Sequence, residues 1–165
     1  MSNPTGTAEP HILFELAGTT YALPSREVAH MEMIEQITPV PNAMPFVEGV
    51  VFSRGQVIPA VNLRVRFGFP RQPFSLSTRL LVVQAGERSV GLIVDSAREF
   101  RPISQESVQP VDSTLAGTTG RFLSGIAHIG ERLVLLLDLK TTLRLLEEET
   151  AGIAEESALA PVAGR

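Results

Sequence analysis

The sequence predicts a mainly β protein: two small five-stranded barrels sharing an apolar seam, with a few short helices and a C-terminal helix. Three observations carry this expectation. Runs rich in Val, Ile, Leu and Phe recur roughly every eight to twelve residues, separated by Gly, Pro and Asn, a spacing typical of sandwiches and barrels. The hydrophobic fraction, 44% of 165 residues, is ample for one domain or for two very small ones with a common core. The two halves of the chain also resemble each other.

Each element follows from its own residues. Strands are expected over Ile12 to Leu16, Thr19 to Leu23, Val28 to Thr38, Glu48 to Ser53, Gln56 to Val61, Arg79 to Ala85, Arg88 to Val94, Ala97 to Ile103, Phe122 to Ile129 and Arg132 to Leu137. Ala17-Gly18, Gly55, Gly86-Glu87 and Gly130-Glu131 supply tight hairpin turns, because Gly tolerates the positive φ that such turns require. Asn62 can cap a short helix that sets Leu63 and Phe67 one turn apart, and Asp138 a longer one in which Leu139, Leu143 and Leu146 share a face. Leu135 reads as a buried strand position. Residues 1–10 and 148–165 are small, polar and Pro- or Ala-containing, and are expected to be disordered or flexible.

Aligning Gly49 to Arg64 on Gly125 to Lys140 without gaps pairs Gly with Gly, Val57 with Leu133, Val61 with Leu137 and Asn62 with Asp138. Upstream, Phe14 to Gly18 falls on Val82 to Gly86, and Val28 to Met31 on Ala97 to Phe100. A duplication predicts two units of about the size of an SH3 domain, one over about 11–77 and the other over about 78–147. Units so small bury little alone, hence the expected seam.

Composition excludes several functions. A net charge of -4 provides no broad basic surface for phosphate backbones, and one Tyr with no Trp leaves few rings for base stacking, so nucleic acid is not an expected partner. The absence of Cys removes disulfides and thiolate metal sites, which fits a reducing, cytoplasmic compartment. The longest apolar run, Leu133 to Leu137, falls far short of the roughly 20 residues of a membrane helix, so no direct insertion is expected.

The chemistry-bearing residues form no catalytic constellation. His11, His30 and His128 stand in no nucleophile elbow or HExxH helix. His30 and Glu32 share a strand face, yet a metal site needs a third protein ligand and Glu35 falls on the opposite face. Asp95, in Leu92-Ile-Val-Asp-Ser-Ala97, resembles an aspartic protease loop without its Gly or a second copy, and reads as a turn residue; a small β-barrel hydrolase is the distant alternative. The stretch Gly117 to Gly120 lacks the GK[ST] of a phosphate cradle. No catalytic residue, metal or cofactor is expected. Arg54 stands out as a charged residue at the tip of an otherwise apolar hairpin.

The run PFVEGVVFSRGQVIPAVNLRVRF, residues 45–67, closely resembles the signature of the CheW domain, F-I-x-G-V-x-N-L-R-G-x-V-x-P-V-I-D-L-R. Phe14-x-Leu-Ala-Gly, Val90 to Asp95 and Leu133 to Asp138 extend the resemblance over about 11–147. It implies paired SH3-like barrels and a non-enzymatic adaptor that joins the cytoplasmic tip of chemoreceptors to the regulatory domain of a CheA-type histidine kinase, recruited to membrane-associated receptor arrays. By motif position it implies receptor contacts from Val28, His30, Arg54, Gly55, Ala97 and Phe100, and a kinase contact near Gly49. The sequence departs from the family at His30, where an acid is common, at Ser53, where Leu is usual, and at Ala97, where Val is usual. Those departures suggest an altered receptor choice, as in a divergent adaptor of a separate chemosensory pathway controlling pili or surface motility.

Overall fold

The computed structural model describes residues 8–112, 114 and 119–144. The described residues form strands β1 (Ala8–Leu16), β2 (Thr19–Pro24), β3 (Val28–Met33), β4 (Val47–Ser53), β5 (Gln56–Asn62), β6 (Arg79–Ala85), β7 (Arg88–Val94), β8 (Ser96–Ser104), β9 (Val108–Gln109), β10 (Leu123–Ile129) and β11 (Arg132–Leu137). Helix α1 (Leu63–Arg66) follows β5 and helix α2 (residues 139–144) follows β11. Leu146, residues 1–7 and the tail beyond residue 144 lie outside the described residues, as do Gly117 and Thr118 of the glycine-rich stretch.

The strands make two sheets, in the orders β8-β1-β2-β11-β10-β9 and β3-β6-β7-β5-β4. The expected division into units 11–77 and 78–147 is therefore corrected: each sheet takes its first hairpin from one half of the chain and its remaining strands from the other. The junctions are two parallel pairs, β2 with β11 and β5 with β7. A parallel pair cannot close through a hairpin turn and needs a crossover: the chain from β3 to β10 lies between β2 and β11, and α1 with β6 lies between β5 and β7. Turn signals in the sequence identify hairpins but not the sheet each hairpin joins.

The duplication is visible in this order. Equivalent strands occupy equivalent places in the two sheets, and the two N-cap positions behave alike: the Asn62 amide donates to the Phe46 carbonyl at 2.7 Å and the Asp138 amide to that of Phe122 at 2.7 Å. Both caps also receive a helix amide, Val65 N on Asn62 Oδ1 and Thr141 N on Asp138 Oδ1.

The edges of each sheet are joined by the chain that leaves the edge strand, so each curls into a barrel. β3 ends at Met33 rather than running on to Thr38 as expected, and Thr38 crosses to the far edge to exchange two backbone hydrogen bonds with Val50. In the six-stranded sheet β9, a strand not foreseen, does the same on β10. Close approach requires glycine at both closures. A Cβ on Gly49, whose φ is 148°, would fall on the Thr38 carbonyl, 2.7 Å from its carbon, and one on Gly125 would lie 2.8 Å from Val108 Cγ1. The N-terminus is ordered earlier than expected: Ala8 to Pro10 pair with the long strand β8, whose edge accepts them despite their polar composition.

Alternation distributes the core among three places. Leu13, Ala22, Ile103, Ala127, Val134 and Leu136 fill one barrel, and Ile58, Ala60, Leu80, Val82 and Ile93 the other. The opposite strand faces, including Phe14, Leu16, Tyr21, Leu81, Val83, Leu92 and Leu137, meet in a larger shared cluster, the expected seam. Strands buried on both faces read as unbroken apolar runs. Leu139 and Leu143 of α2 join the seam, whereas Leu135 is only partly buried against it, a correction to its reading as a core position.

Candidate functional site

The β4–β5 hairpin turns in two residues between Ser53 and Gln56, with φ of 47° at Arg54 and 83° at Gly55. Positive φ at both central positions is a type I′ turn, which suits the twist of the strands. Gly adopts this region freely. A side-chain-bearing residue there costs about 1–2 kcal/mol, so the fold holds Arg54 in a strained conformation at an exposed tip. Phe52 and Val57 pair directly across the hairpin and are 74% and 67% exposed, an apolar flank beside the guanidinium.

A polar clasp lies behind that tip. His30 and Glu32 share the half-buried face of β3, and His30 Nε2 sits 2.5 Å from Glu32 Oε2 and 3.0 Å from the Oγ of Ser53 at the end of β4. The Ser53 hydroxyl also donates to Glu32 Oε2. Ser53 is buried. The Ser53 hydrogen bond foremost, with the His30 hydrogen bond and charge and the nearby Arg54 guanidinium, holds the Glu32 carboxyl below its usual range. The clasp and the Thr38–Val50 bridge thus join the same two sheet edges, β3 and β4. Between them is an open depression of about 390 Å³ lined by residues that include Glu32, Ile34, Thr38, Val50 and Phe52.

The other barrel carries an ion pair on β8, the counterpart of β3. Arg132, at the start of β11, donates Nη1 to Glu99 Oε1 at 2.8 Å and Nη2 to Oε2 at 3.0 Å, a two-bond fork from β11 to β8. Glu99 is the repeat counterpart of His30. An acid at this position therefore pairs with an arginine in one half of the chain, while in the other the acid stands two residues on.

The remaining expected residues are dispersed. Val28 is half-buried and packs on the seam. Ala97 is 6% exposed within that seam, so its expected contact with a receptor is corrected to packing beneath β8. Phe100 is 65% exposed on β8, in the other sheet from Arg54. Gly49 is buried against Thr38 and offers a partner no surface of its own, which replaces its expected kinase contact with a role in closure. Asp95 is a tether: its Oδ2 accepts from Ala17 N at 2.8 Å and faces Arg64 Nη1 at 3.7 Å. His30-x-Glu32 gains Ser53 rather than a third metal ligand, and among the described residues no three His, Asp or Glu side chains are grouped to hold a metal. No helix among the described residues is long and apolar enough to cross a membrane.

The family model of the CheW-like domain matches residues 10–147. The chemotaxis protein CheW of Klebsiella aerogenes is 26% identical over 147 residues, covering 89% of this chain and 87% of its own length. That of Helicobacter pylori is 31% identical over 133 residues, covering 79% of each. Among solved structures, the scaffolding protein TtCheW of Thermoanaerobacter tengcongensis superposes with a TM-score of 0.74 at 28% identity, over 79% of this chain and 89% of that one. The interleaved barrels, the Arg54 hairpin and these matches agree that this chain belongs to the CheW-like domain family.

Proposed function

We propose that the chain is a non-enzymatic adaptor of chemosensory signal transduction, coupling the cytoplasmic tip of chemoreceptors to the regulatory domain of a CheA-type histidine kinase. The observation that carries this reading is the Arg54 turn: the fold sustains a strained conformation at an exposed cation flanked by Phe52 and Val57. A receptor tip, a helical hairpin with an apolar ridge and polar shoulders, can lay that ridge on the two apolar side chains while Arg54 meets a carboxylate or carbonyl. Val28, His30, Gly55 and Phe100 remain candidate receptor contacts. Kinase binding belongs to the barrel ends, and recruitment to membrane-associated arrays follows from holding both partners, since many weak contacts in a lattice raise occupancy.

The test is co-sedimentation of the full chain with receptor fragments and the CheA-type kinase of its own genome. Retention of both partners is expected; failure to bind any such kinase refutes the reading. His30 and Ser53, which depart from the family pattern and lie against each other, favour service in a separate pathway, such as one controlling pili or surface motility. That reading requires preference for the receptors of that pathway over those of swimming chemotaxis.

A further inference from the structure

We propose that Glu32 is the positioning residue of the Arg54 hairpin and, with His30 and Ser53, sets which receptor tip this chain accepts. The inference rests on the adaptor reading. Its basis is the clasp of Glu32, His30 and Ser53 directly behind the Arg54 turn, set beside the ion pair of the other barrel. In the other barrel the acid is Glu99, and it engages Arg132, the counterpart of Gln56 and not of Arg54, through a two-bond fork from β8 to β11. In the barrel of Arg54 the place of Glu99 is taken by His30, and the acid is Glu32, on the same strand face one alternation further along.

From there Glu32 does not fork the arginine. Its Oε2 takes the Ser53 hydroxyl and lies 2.5 Å from His30 Nε2, so it fixes the residue immediately before Arg54. Among the described residues the Arg54 guanidinium has no hydrogen-bond partner, and Glu32 acts on it through charge alone. The consequence is an arginine held by its backbone and left with its donors open. Where an acid and an arginine are paired outright, as at Glu99 and Arg132, a partner must displace the acid; here it need not. A receptor tip that presents its own carboxylate or carbonyl to Arg54 is therefore favoured over one that relies on apolar contact.

The test uses the full chain, with binding to a soluble receptor fragment and to the kinase regulatory domain measured separately, and with hydrogen exchange followed at the amides of residues 53–56. Glu32→Gln keeps the shape and an acceptor but removes the charge. Expected are at least tenfold weaker receptor binding, unchanged kinase binding, and faster exchange confined to the hairpin. His30→Glu combined with Glu32→Gln moves the acid to the place it has in the other barrel, and is expected to restore hairpin protection but not the native order of preference among receptors. Receptor binding within twofold of native in Glu32→Gln overturns the proposal, as does a parallel loss of both partners with a lowered thermal midpoint. If the native chain binds no receptor fragment, the adaptor reading fails instead, and exchange decides positioning: unchanged hairpin protection in Glu32→Gln overturns it.

Discussion

Replacing Gly49 with Ala tests the closure of the five-stranded barrel. The new Cβ would fall on the Thr38 carbonyl, 2.7 Å from its carbon and 2.9 Å from Pro39 Cα, where only backbone could give way. Relieving the clash breaks the two hydrogen bonds between Thr38 and Val50, of 2.9 and 2.8 Å, at about 1 kcal/mol each. Holding Ala near φ of 148° costs about 1–3 kcal/mol, and residual overpacking a similar amount, so a total loss of roughly 4–8 kcal/mol is expected. Gly125→Ala, at an ordinary φ, meets Val108 Cγ1 at 2.8 Å and the Gln109 carbonyl oxygen at 3.0 Å, and should cost about 1–3 kcal/mol; Gly55→Ala, with open space at φ of 83°, about 1 kcal/mol. Urea unfolding of the three variants measures the order directly. A Gly49→Ala protein within 1 kcal/mol of native that has nonetheless lost kinase binding would refute this reasoning and restore Gly49 as a contact residue.

Arg54→Gly relieves the strained turn, so unfolding free energy should change by no more than about 1 kcal/mol in either direction while receptor binding falls; a marked drop in stability would make the side chain structural. Leu137→Ala, at a position 2% exposed in the seam, should cost about 2–5 kcal/mol by cavity formation, and Leu135→Ala distinctly less, as measured by the same unfolding. Acid should weaken the fold through the two clasps. The Glu32 and Glu99 carboxyls are held low, chiefly by Ser53 and Arg132 respectively, so the unfolded chain binds more protons below its carboxylate value of about 4.3. Their stabilisation is complete above that pH and is lost as pH falls through the depressed folded values, and a Glu32→Gln, Glu99→Gln protein should lose less stability over that window in thermal melts.

Most strands, the hairpins and the duplication were legible in the sequence because they depend on local alternation and on turn residues such as Ala17-Gly18 and Arg54-Gly55. The partition between barrels was not, since Leu80 and Leu81 look alike in sequence although one fills a barrel and the other the seam. The expected extension of β3 to Thr38 rests on Ile34 and Ile37, but alternation breaks at Met33-Ile34 and Glu35-Gln36, and there the chain turns away to reach the far edge of the sheet. The site was half legible. Arg54 announced itself, and the spacing of His30 and Glu32 put both on one face, but Ser53 reaches them only once β4 and β3 are brought together by closure. Gly49 and Ala97 matched the family pattern by position alone, and position does not reveal burial.

Interleaving also governs how such a protein can be made and rearranged. Tyr21 must wait for Leu135 before its strand has both neighbours, so the six-stranded barrel cannot be completed on the ribosome until nearly the whole chain has emerged, and pairings this distant form slowly, on the order of milliseconds to seconds. A cut in the loop between α1 and β6 would not release two domains. Each fragment would carry two hairpins, one that belongs in the other fragment's sheet and one that accepts the other's, so the pieces should be unfolded apart and should reconstitute the fold when mixed. Chimeras between paralogues meet the same constraint: exchanging β4 and β5 to transplant the Arg54 turn also exchanges the partner of β7. The Arg54 turn is inherited with the five-stranded sheet, which draws on both halves of the gene, not with either half alone.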